Sequence, residues 1–442
     1  MQQTAFVEFA VESTYGSIST STGQPDVSGL TFTGDEVELA AISFDGLEPI
    51  SRPITSARGT PAPLPDEVHG PIELLQGQMT IPLVLRGPGD GALRTTGQAM
   101  LGWRLIETML ERMDNPGITS EALPSNADDA TTLNVTDATA YQIGRLLMFE
   151  ADGKIQVSQV VGTNGVDQIT ISPAASSTLQ SGQVIRLLDT YHLPRTGELG
   201  VPSGAPLALK MRTRDGYGWL LCGVRATALR WAVDDDGYVT LEVDVDVGWG
   251  QRFTGASFTS SAANAGQLVN ASQAPQNVRG VLASLAGSDL DPHPSSAPDT
   301  ASRGELNSSG FSLEISVSAS PRPQTNWMGR SEMRIGGWAE GTQLTLTNVT
   351  NNTALRAMYR DRSQRTLAVG TGPFGAGNGT AVLLPAAFLA NEVFESLEGD
   401  ELEFAEVPFR PGAHQSHGLG PGSAVEGGNA ALYLGCVFPA SL

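Results

Sequence analysis

The chain is 442 residues long, 40% hydrophobic and 17% charged, with 51 Gly, 27 Pro and a net charge of −21. That length has room for two or three domains, and a turn-rich, charge-poor composition favours many short strands over helices. The negative balance argues against a surface that grips nucleic acid or anionic lipid, since both need clustered cations, and plain solubility is the simplest account of it. A chain that passes near DNA without holding it would carry the same sign. Cys222 and Cys436 are the only cysteines, too few for a disulfide framework or a zinc site, and their apolar strand surroundings predict buried thiols. Met1-Gln2-Gln3-Thr4 has no basic n-region, and no apolar run reaches the roughly 18 residues of a membrane span, so synthesis in a cytoplasm is expected.

In chain order, strands are predicted around Phe6–Val11 and Val37–Ile42, with turns from Thr14 to Gly29 between them. Residues 51–78 carry Pro53, Pro61, Pro63, Pro65 and Pro71, which hold a chain extended and suit either an interaction arm or an ordinary surface crossing. Met79–Leu85 is a strand. Gly97–Met113 is the clearest helix, with Leu101, Leu105, Ile106, Met109 and Leu110 on one stripe and Pro116-Gly117 beyond its end. Strand-sized pieces at Leu147–Phe149, Lys154–Val161, Asp167–Ser172 and Gln183–Leu187, with turns at Asp152-Gly153 and Asn164-Gly165, form a compact inserted module. Leu207–Arg214 then resumes the first domain in a register that suits pairing with the strands after it.

Trp219–Trp249 is the most regular stretch. Val239, Leu241, Val243, Val245, Val247 and Trp249 alternate with Thr240, Glu242, Asp244, Asp246 and Gly248, the period of a strand with one wet face. Asp234-Asp235-Asp236-Gly237 supplies a hairpin turn, and the second strand reaches about 36 Å at about 3.3 Å per residue. After a Ser/Ala/Gly/Pro-rich stretch in which only Val278–Leu285 is apolar enough to order, strands are expected at Phe311–Val317, Gln343–Asn348, Ala354–Tyr359, Thr366–Val369 and Thr380–Leu384. Pro385–Ser396 is a predicted short helix, and Glu401–Val407 and Ala430–Phe438 return to strands.

The expected fold class is mainly β: two β-sandwich or barrel domains, each with a short flanking helix, plus the small β insertion. The first domain takes residues 1–136 and 189–255 with helix 97–113, the insertion 137–188, a linker 256–310, and the second domain 311–442. Both halves combine long strands with one helix, which suggests a duplication.

Chemical motifs are sparse. Gly370-Thr371-Gly372-Pro373-Phe374-Gly375 lacks the helix N-terminus a dinucleotide needs after its glycines and is read as a loop. His414 and His417 have no helix to fix their spacing, and His69, His192 and His293 are placed in loops. No GxSxG elbow is present. Asp244 and Asp246 belong to a same-face ladder with Glu242, which suits a solvated strand face better than a cation site or a glycosidase pair. No catalytic, cofactor or metal residues are therefore assigned.

Several stretches together resemble the tail tube proteins (major tail proteins) of long-tailed, non-contractile bacteriophages. These are Glu12-Ser13-Thr14-Tyr15-Gly16, Ile72–Leu85 before Gly97–Met113, the Asp137–Leu188 module, Cys222–Arg252, and Thr380–Pro385 running into Glu398–Phe404. The resemblance implies tube-type domains assembled into rings that stack as a hollow virion tail, with long hairpins lining the lumen and no enzymatic activity. Thr240, Glu242, Asp244 and Asp246 are the candidate lining, a carboxylate wall that repels DNA. Arg52, Pro53, Arg58, Pro61, Pro63 and Pro65 are the candidate arm towards the neighbouring ring. Implied partners are copies of the chain (a trimer favoured, a hexamer possible), tape-measure and tail-completion proteins, and viral DNA in transit. A carbohydrate- or receptor-binding β-sandwich is the alternative.

Overall fold

The computed structural model describes residues 5–19, 21–22, 25–32, 37–39, 42, 44, 46–49, 51–53, 67–69, 74–84, 101–113, 120–192, 204–213, 217–233, 239–254, 281–286, 304–324, 328–338, 341–350, 355, 358–360, 362, 364–371, 379–390, 395–398, 401–411 and 433–437. The chain is mainly β, and its strand ladders are antiparallel. The first half opens with β1 (Ala5–Val11), β2 (Val37–Leu39), β3 (Leu47–Pro49), β4 (Ser51–Pro53), β5 (Glu67–His69) and β6 (Leu74–Val84). Helix α1 (Leu101–Glu107) follows and is shorter than the sequence pattern suggests. The Thr108 hydroxyl turns back to the Leu105 carbonyl at 2.7 Å and the chain leaves the helix. Nearly every side of α1 is buried, with only Arg104 and Glu107 partly open.

After β7 (Glu111–Arg112), which pairs with Tyr191 and His192 in the main sheet, the inserted module contains β8 (Ser120–Ala122), β9 (Thr132–Asn134), β10 (Leu146–Ala151), β11 (Lys154–Thr163), β12 (Gln168–Ser172) and the start of β13 (Val184–His192). Its sheet runs β9–β12–β11–β10–β13–β8. The module thus begins near residue 120 rather than 137, because β8 and β9 pair with its outer strands. Both predicted turns form: Asp152 and Gly153 take φ of 53° and 72°, and Asn164 Oδ1 accepts the N–H groups of Val166, Asp167 and Gln168. One face encloses Leu133, Leu147, Phe149, Val160, Ile169 and Ile185. The other places Met148 and Val157 against Ala368, Ala381 and Leu383 of the second half.

The first half closes with β14 (Leu207–Thr213), β15 (Tyr217–Val233) and β16 (Val239–Thr254). The second half holds β17 (Val281–Ala286), β18 (Gly304–Ser308), β19 (Gly310–Pro323), β20 (Arg330–Trp338), β21 (Gln343–Thr350), β22 (Arg365–Thr371), β23 (Thr380–Leu389), β24 (Glu395–Glu398), β25 (Glu401–Pro411) and β26 (Tyr433–Val437). β13 runs on beyond its module, and Leu188–His192 pairs with β26.

The ladders of the two halves repeat one order of pairings. In the first half the pairings are β2–β1, β1–β14, β14–β15, β15–β16, β16–β6 and β6–β3. In the second they are β18–β17, β17–β22, β22–β23, β23 and β24 with β25, β25–β21 and β21–β19. The connectivity is the same twice, and the helical residues Leu355 and Met358–Arg360 sit between β21 and β22 as α1 sits between β6 and β14. The halves do not separate at the predicted linker, since β15 pairs with β19 and their apolar residues form one core. Trp231 anchors that junction, its ring centroid 6.1 Å from Trp103 of α1 and 6.3 Å from Phe311 of β19.

Some expectations are corrected. Pro385–Ser396 is not a helix: Thr380–Ala387 is buried on both faces as β23, and Glu395–Glu398 is β24. Pro385 sits where the β22–β23 ladder slips between Leu367↔Leu384 and Arg365↔Ala387, a bulge that needs no N–H from it. The second-half helix lies instead where a strand was expected at 354–359, with Leu355 and Met358 buried one helical turn apart. β18 orders part of the expected linker. His69 and His192 lie in strands, and Gly370-Thr371 ends β22 instead of forming a loop. His293, His414 and His417 lie outside the described residues.

Near its middle the β15–β16 ladder is interrupted by Gly223, at φ +67°, facing Gly248. A Cβ on Gly223 would lie 3.1 Å from both Gly248 Cα and Tyr15 Cζ. Gly223→Ala should therefore cost roughly 2–4 kcal/mol in urea denaturation. Gly153→Ala, equally left-handed but with no atom near its Cβ, should cost only about 1 kcal/mol.

Candidate functional site

The alternation in β16 does what its period requires. Val239, Leu241, Val243, Val245 and Val247 are buried in the core, and Thr240, Glu242, Asp244 and Asp246 share the opposite face. That face is open only in part. Asp246 is 5% exposed and lies under Arg330 of β20, whose guanidinium donates to Asp246 Oδ2 at 2.7 Å and also to the Val247 carbonyl. The expectation of Asp246 on a wet face is thus corrected: β20 and the loop after β1 fold over this end of the sheet. Burial raises the Asp246 carboxyl, and the Arg330 charge and hydrogen bonds from Arg330 and Tyr15 oppose the rise.

Arg225, directly across the ladder from Asp246, completes a four-charge cluster. Its Nε and Nη2 hold Glu332 of β20 at 2.7 and 3.2 Å, while Nη1 donates to the carbonyls of Thr108 and Gly204. Beside it, the Glu12-Ser13-Thr14-Tyr15-Gly16 segment enters the glycine notch. The Glu12 carboxylate accepts from the N–H groups of Gly223 and Gly16 and from the Ser17 hydroxyl, and Trp249 Nε1 donates to the Gly16 carbonyl at 2.6 Å. Burial pushes the Glu12 carboxyl up to about 7 against those hydrogen bonds, and burial beside Glu12 pushes the Cys222 thiol up.

The open part of the face extends sideways. Six strands run side by side in the order β6, β16, β15, β19, β21, β25. Thr80, Asp244, Ala228 and Ser316 form one cross-strand row, and Glu242, Arg230, Glu314 and Gln343 lie in the next. Arg230 joins three carboxylates, at 2.7 Å from Asp244, 3.6 Å from Glu242 and 3.8 Å from Glu314. Burial works against the Arg230 charge, but the Asp244 hydrogen bond and the three carboxylates outweigh it and raise its pKa. Glu406 and Arg410 of β25 stand exposed further along the same run, so among the described side chains the face carries four carboxylates to two guanidinium groups, set among Thr, Ser and Ala.

Sequence reasoning missed Glu314 and Arg230 because they join this face only through β15–β19 pairing, which no local pattern encodes. It also missed β20, although Met333 and Ile335 alternate there with Glu332 and Arg334. Of the candidate arm, Arg52 and Pro53 lie in β4, which pairs with β5, and Arg58, Pro61, Pro63 and Pro65 lie outside the described residues. Asp234, Asp235 and Asp236 also lie outside them. Among the described residues no group of three His, Cys, Asp or Glu side chains is placed so that it could hold a metal ion, and no helix is long and apolar enough to cross a membrane. No protein-family model matches the chain, and no curated protein matches it.

Two measurements test this geometry. Glu332→Ala leaves the Arg225 guanidinium buried and unpaired and should cost about 3–5 kcal/mol, whereas Arg230→Ala on the open face should cost under about 1 kcal/mol. Glu12 gives a pH signature. The unfolded chain releases its proton near 4.5 and the native one near 7, so the native state holds more protons between them. Stability should fall as pH rises through that window, by roughly 3 kcal/mol at most, and the Glu12→Gln variant should show a flatter profile in denaturation midpoints from pH 4.5 to 7.

Proposed function

We propose that the chain is a structural, non-enzymatic subunit of a virion tail tube of the long-tailed, non-contractile phage type. Its copies form stacked rings, and the open face of the six-strand run lines a channel for DNA. The observation that carries this reading is that face itself: a six-strand sheet surface with one side in the core and the other polar and richer in carboxylates than in guanidinium groups. Duplex DNA carries a charge about every 1.7 Å along its axis and adheres to cationic walls by counterion release. On a wall of Thr240, Glu242, Asp244 and Glu314 the Arg230 guanidinium is already engaged by three carboxylates, which leaves DNA little such grip. Thr, Ser and Ala around the carboxylates leave nothing to snag a moving duplex.

The duplicated connectivity supports three copies per ring, each supplying two equivalent β units, over six copies. Tape-measure and tail-completion proteins are further partners of such a tube. A glycan-binding reading has less support. Trp103, Trp231 and Trp249 are buried, and Tyr359 is the one large aromatic standing exposed among the described residues. A glycosidase needs a cleft, and the carboxylates around Arg230 lie on an open sheet.

Negative-stain images of the purified protein should show rings or tubes; monomers under all conditions would sink the proposal. In assembled particles, Glu242→Lys, Asp244→Lys and Glu314→Lys combined should make duplex DNA bind inside with a steep salt dependence, while unaltered particles leave it free.

A further inference from the structure

The hairpin of β19 and β20 leaves its parent sheet at a level where both of its legs break step. Val317 pairs with Trp338 and Ala319 with Ile335, so Ser318 of β19 stands against Gly336-Gly337 of β20. Before this level β19 belongs to the main sheet, through Gly310–Glu314 with β21 and Ser312–Ser316 with β15. Beyond it, among the described residues, β19 and β20 pair only with each other. The outer leg is exposed from Ser320 to Gln324, and its Pro321 and Pro323 offer no N–H to a further strand. A two-stranded ribbon has little stability of its own. Side chains hold this one down. Arg330 donates to Asp246 and the Val247 carbonyl, Glu332 accepts from Arg225, and Met328 is buried in a cluster with Tyr15 and Trp249. Met333 is buried as well, and Ile335 joins the main core at the base of the hairpin.

The four charges in this contact have two ways of pairing. Closed, each pair spans the gap, with Arg330 at 2.7 Å from Asp246 and Arg225 at 2.7 Å from Glu332. On the sheet, Arg225 is also the direct cross-strand neighbour of Asp246. Side chains so opposed have Cβ atoms about 4.5–5.5 Å apart. On the hairpin, Arg330 and Glu332 are two residues apart and share one face of β20. Lifted away, the hairpin keeps one cation and one anion, and the sheet keeps the same. Parting a buried ion pair is costly chiefly because it strands a charge, and here no charge is stranded. Arg225 Nη1 keeps its bonds to the Thr108 and Gly204 carbonyls, which lie on the sheet side.

We infer that the outer β19–β20 hairpin is a flap with two states, closed on Asp246 or lifted, hinged at Ser318 and Gly336-Gly337. The exchange of charge partners makes the two states discrete. Lifting leaves the β15–β19 joint paired through Ser312–Ser316. The Glu12–Gly16 strap also stays, because the Gly223 N–H and the Trp249 indole that hold it belong to the sheet. What lifting uncovers is Asp246 and Arg225, so the polar face that ends at Asp244 runs on along the hairpin. In a tube the flap would set how far the channel wall extends. That consequence rests on the tube proposal; the flap itself does not.

Native-state hydrogen exchange on the whole chain, followed by mass spectrometry as urea is raised below the unfolding midpoint, tests for the flap. Amides of Ser331–Ile335 should exchange about 10-fold or more faster than those of Leu241–Val247, with a weaker dependence on urea. Equal rates and equal urea dependence would mean that the hairpin opens only when the molecule unfolds, and would overturn the inference. A variant combining Arg330→Glu with Glu332→Arg sets like charges against Asp246 and Arg225 when closed, yet leaves a self-paired flap when lifted. Its hairpin exchange should rise by a further factor of about 10 or more, while Leu241–Val247 stays as protected as in the unaltered protein. Loss of protection in both segments together, no change in the hairpin, or failure of this variant to fold would each count against a separable flap. None of these outcomes requires rings to form, so the tube proposal stands or falls separately, by microscopy.

Discussion

The placement of the two halves depends on a buried square of alternating charge. Arg225 faces Asp246 across the β15–β16 ladder, and β20 lays Arg330 and Glu332, two residues apart, over that pair. Burying four charges gives little net stability, because desolvation takes back most of the Coulomb gain. What it does give is register. If β20 slid by two residues, like charges would be brought towards one another in a place water hardly reaches. Apolar packing alone tolerates such slips, and this cluster does not.

Around that point the polar and apolar parts divide the work. Trp231, Trp103 and Phe311 knit α1 to both halves, and Gly223 and Gly248 let the Glu12–Gly16 segment lie against the hairpin where any side chain would hold it off. The Glu12 segment is thus a structural strap, which accounts for an acid, an aromatic and a glycine at its spacing. The open face escapes this covering only beyond Asp246. Its breadth comes from strands of the second half, not from the length of the hairpin.

How much of this could be read from sequence follows from the range of each interaction. Strand positions such as β6, β11, β16 and β25 follow from local alternation, and the module turns follow from Asp-Gly and Asn-Gly chemistry. Pro385 misled because proline at a helix start and proline at a strand bulge look alike until the partner strand is known. Asp246 misled for a similar reason. Its two-residue spacing from Asp244 assigns the correct face, but coverage of that face comes from residues 84 positions away. Arg230 and Glu314 became a pair only when two distant strands were joined. Local periods set which side a residue is on, and long-range pairing sets what stands over it.

One feature of the insertion bears on mechanics. β13 begins inside the module, at Val184–Leu187, and runs unbroken into the main sheet, where Leu188–His192 pairs with β26 and, at Tyr191 and His192, with β7. A pull on the module along this strand loads those hydrogen bonds in shear, all at once, instead of peeling them one by one. The insertion is therefore coupled to the body as a lever is to its shaft. A load taken up by its outer strands would be delivered into the β13–β26–β23 sheet and not dissipated in a hinge.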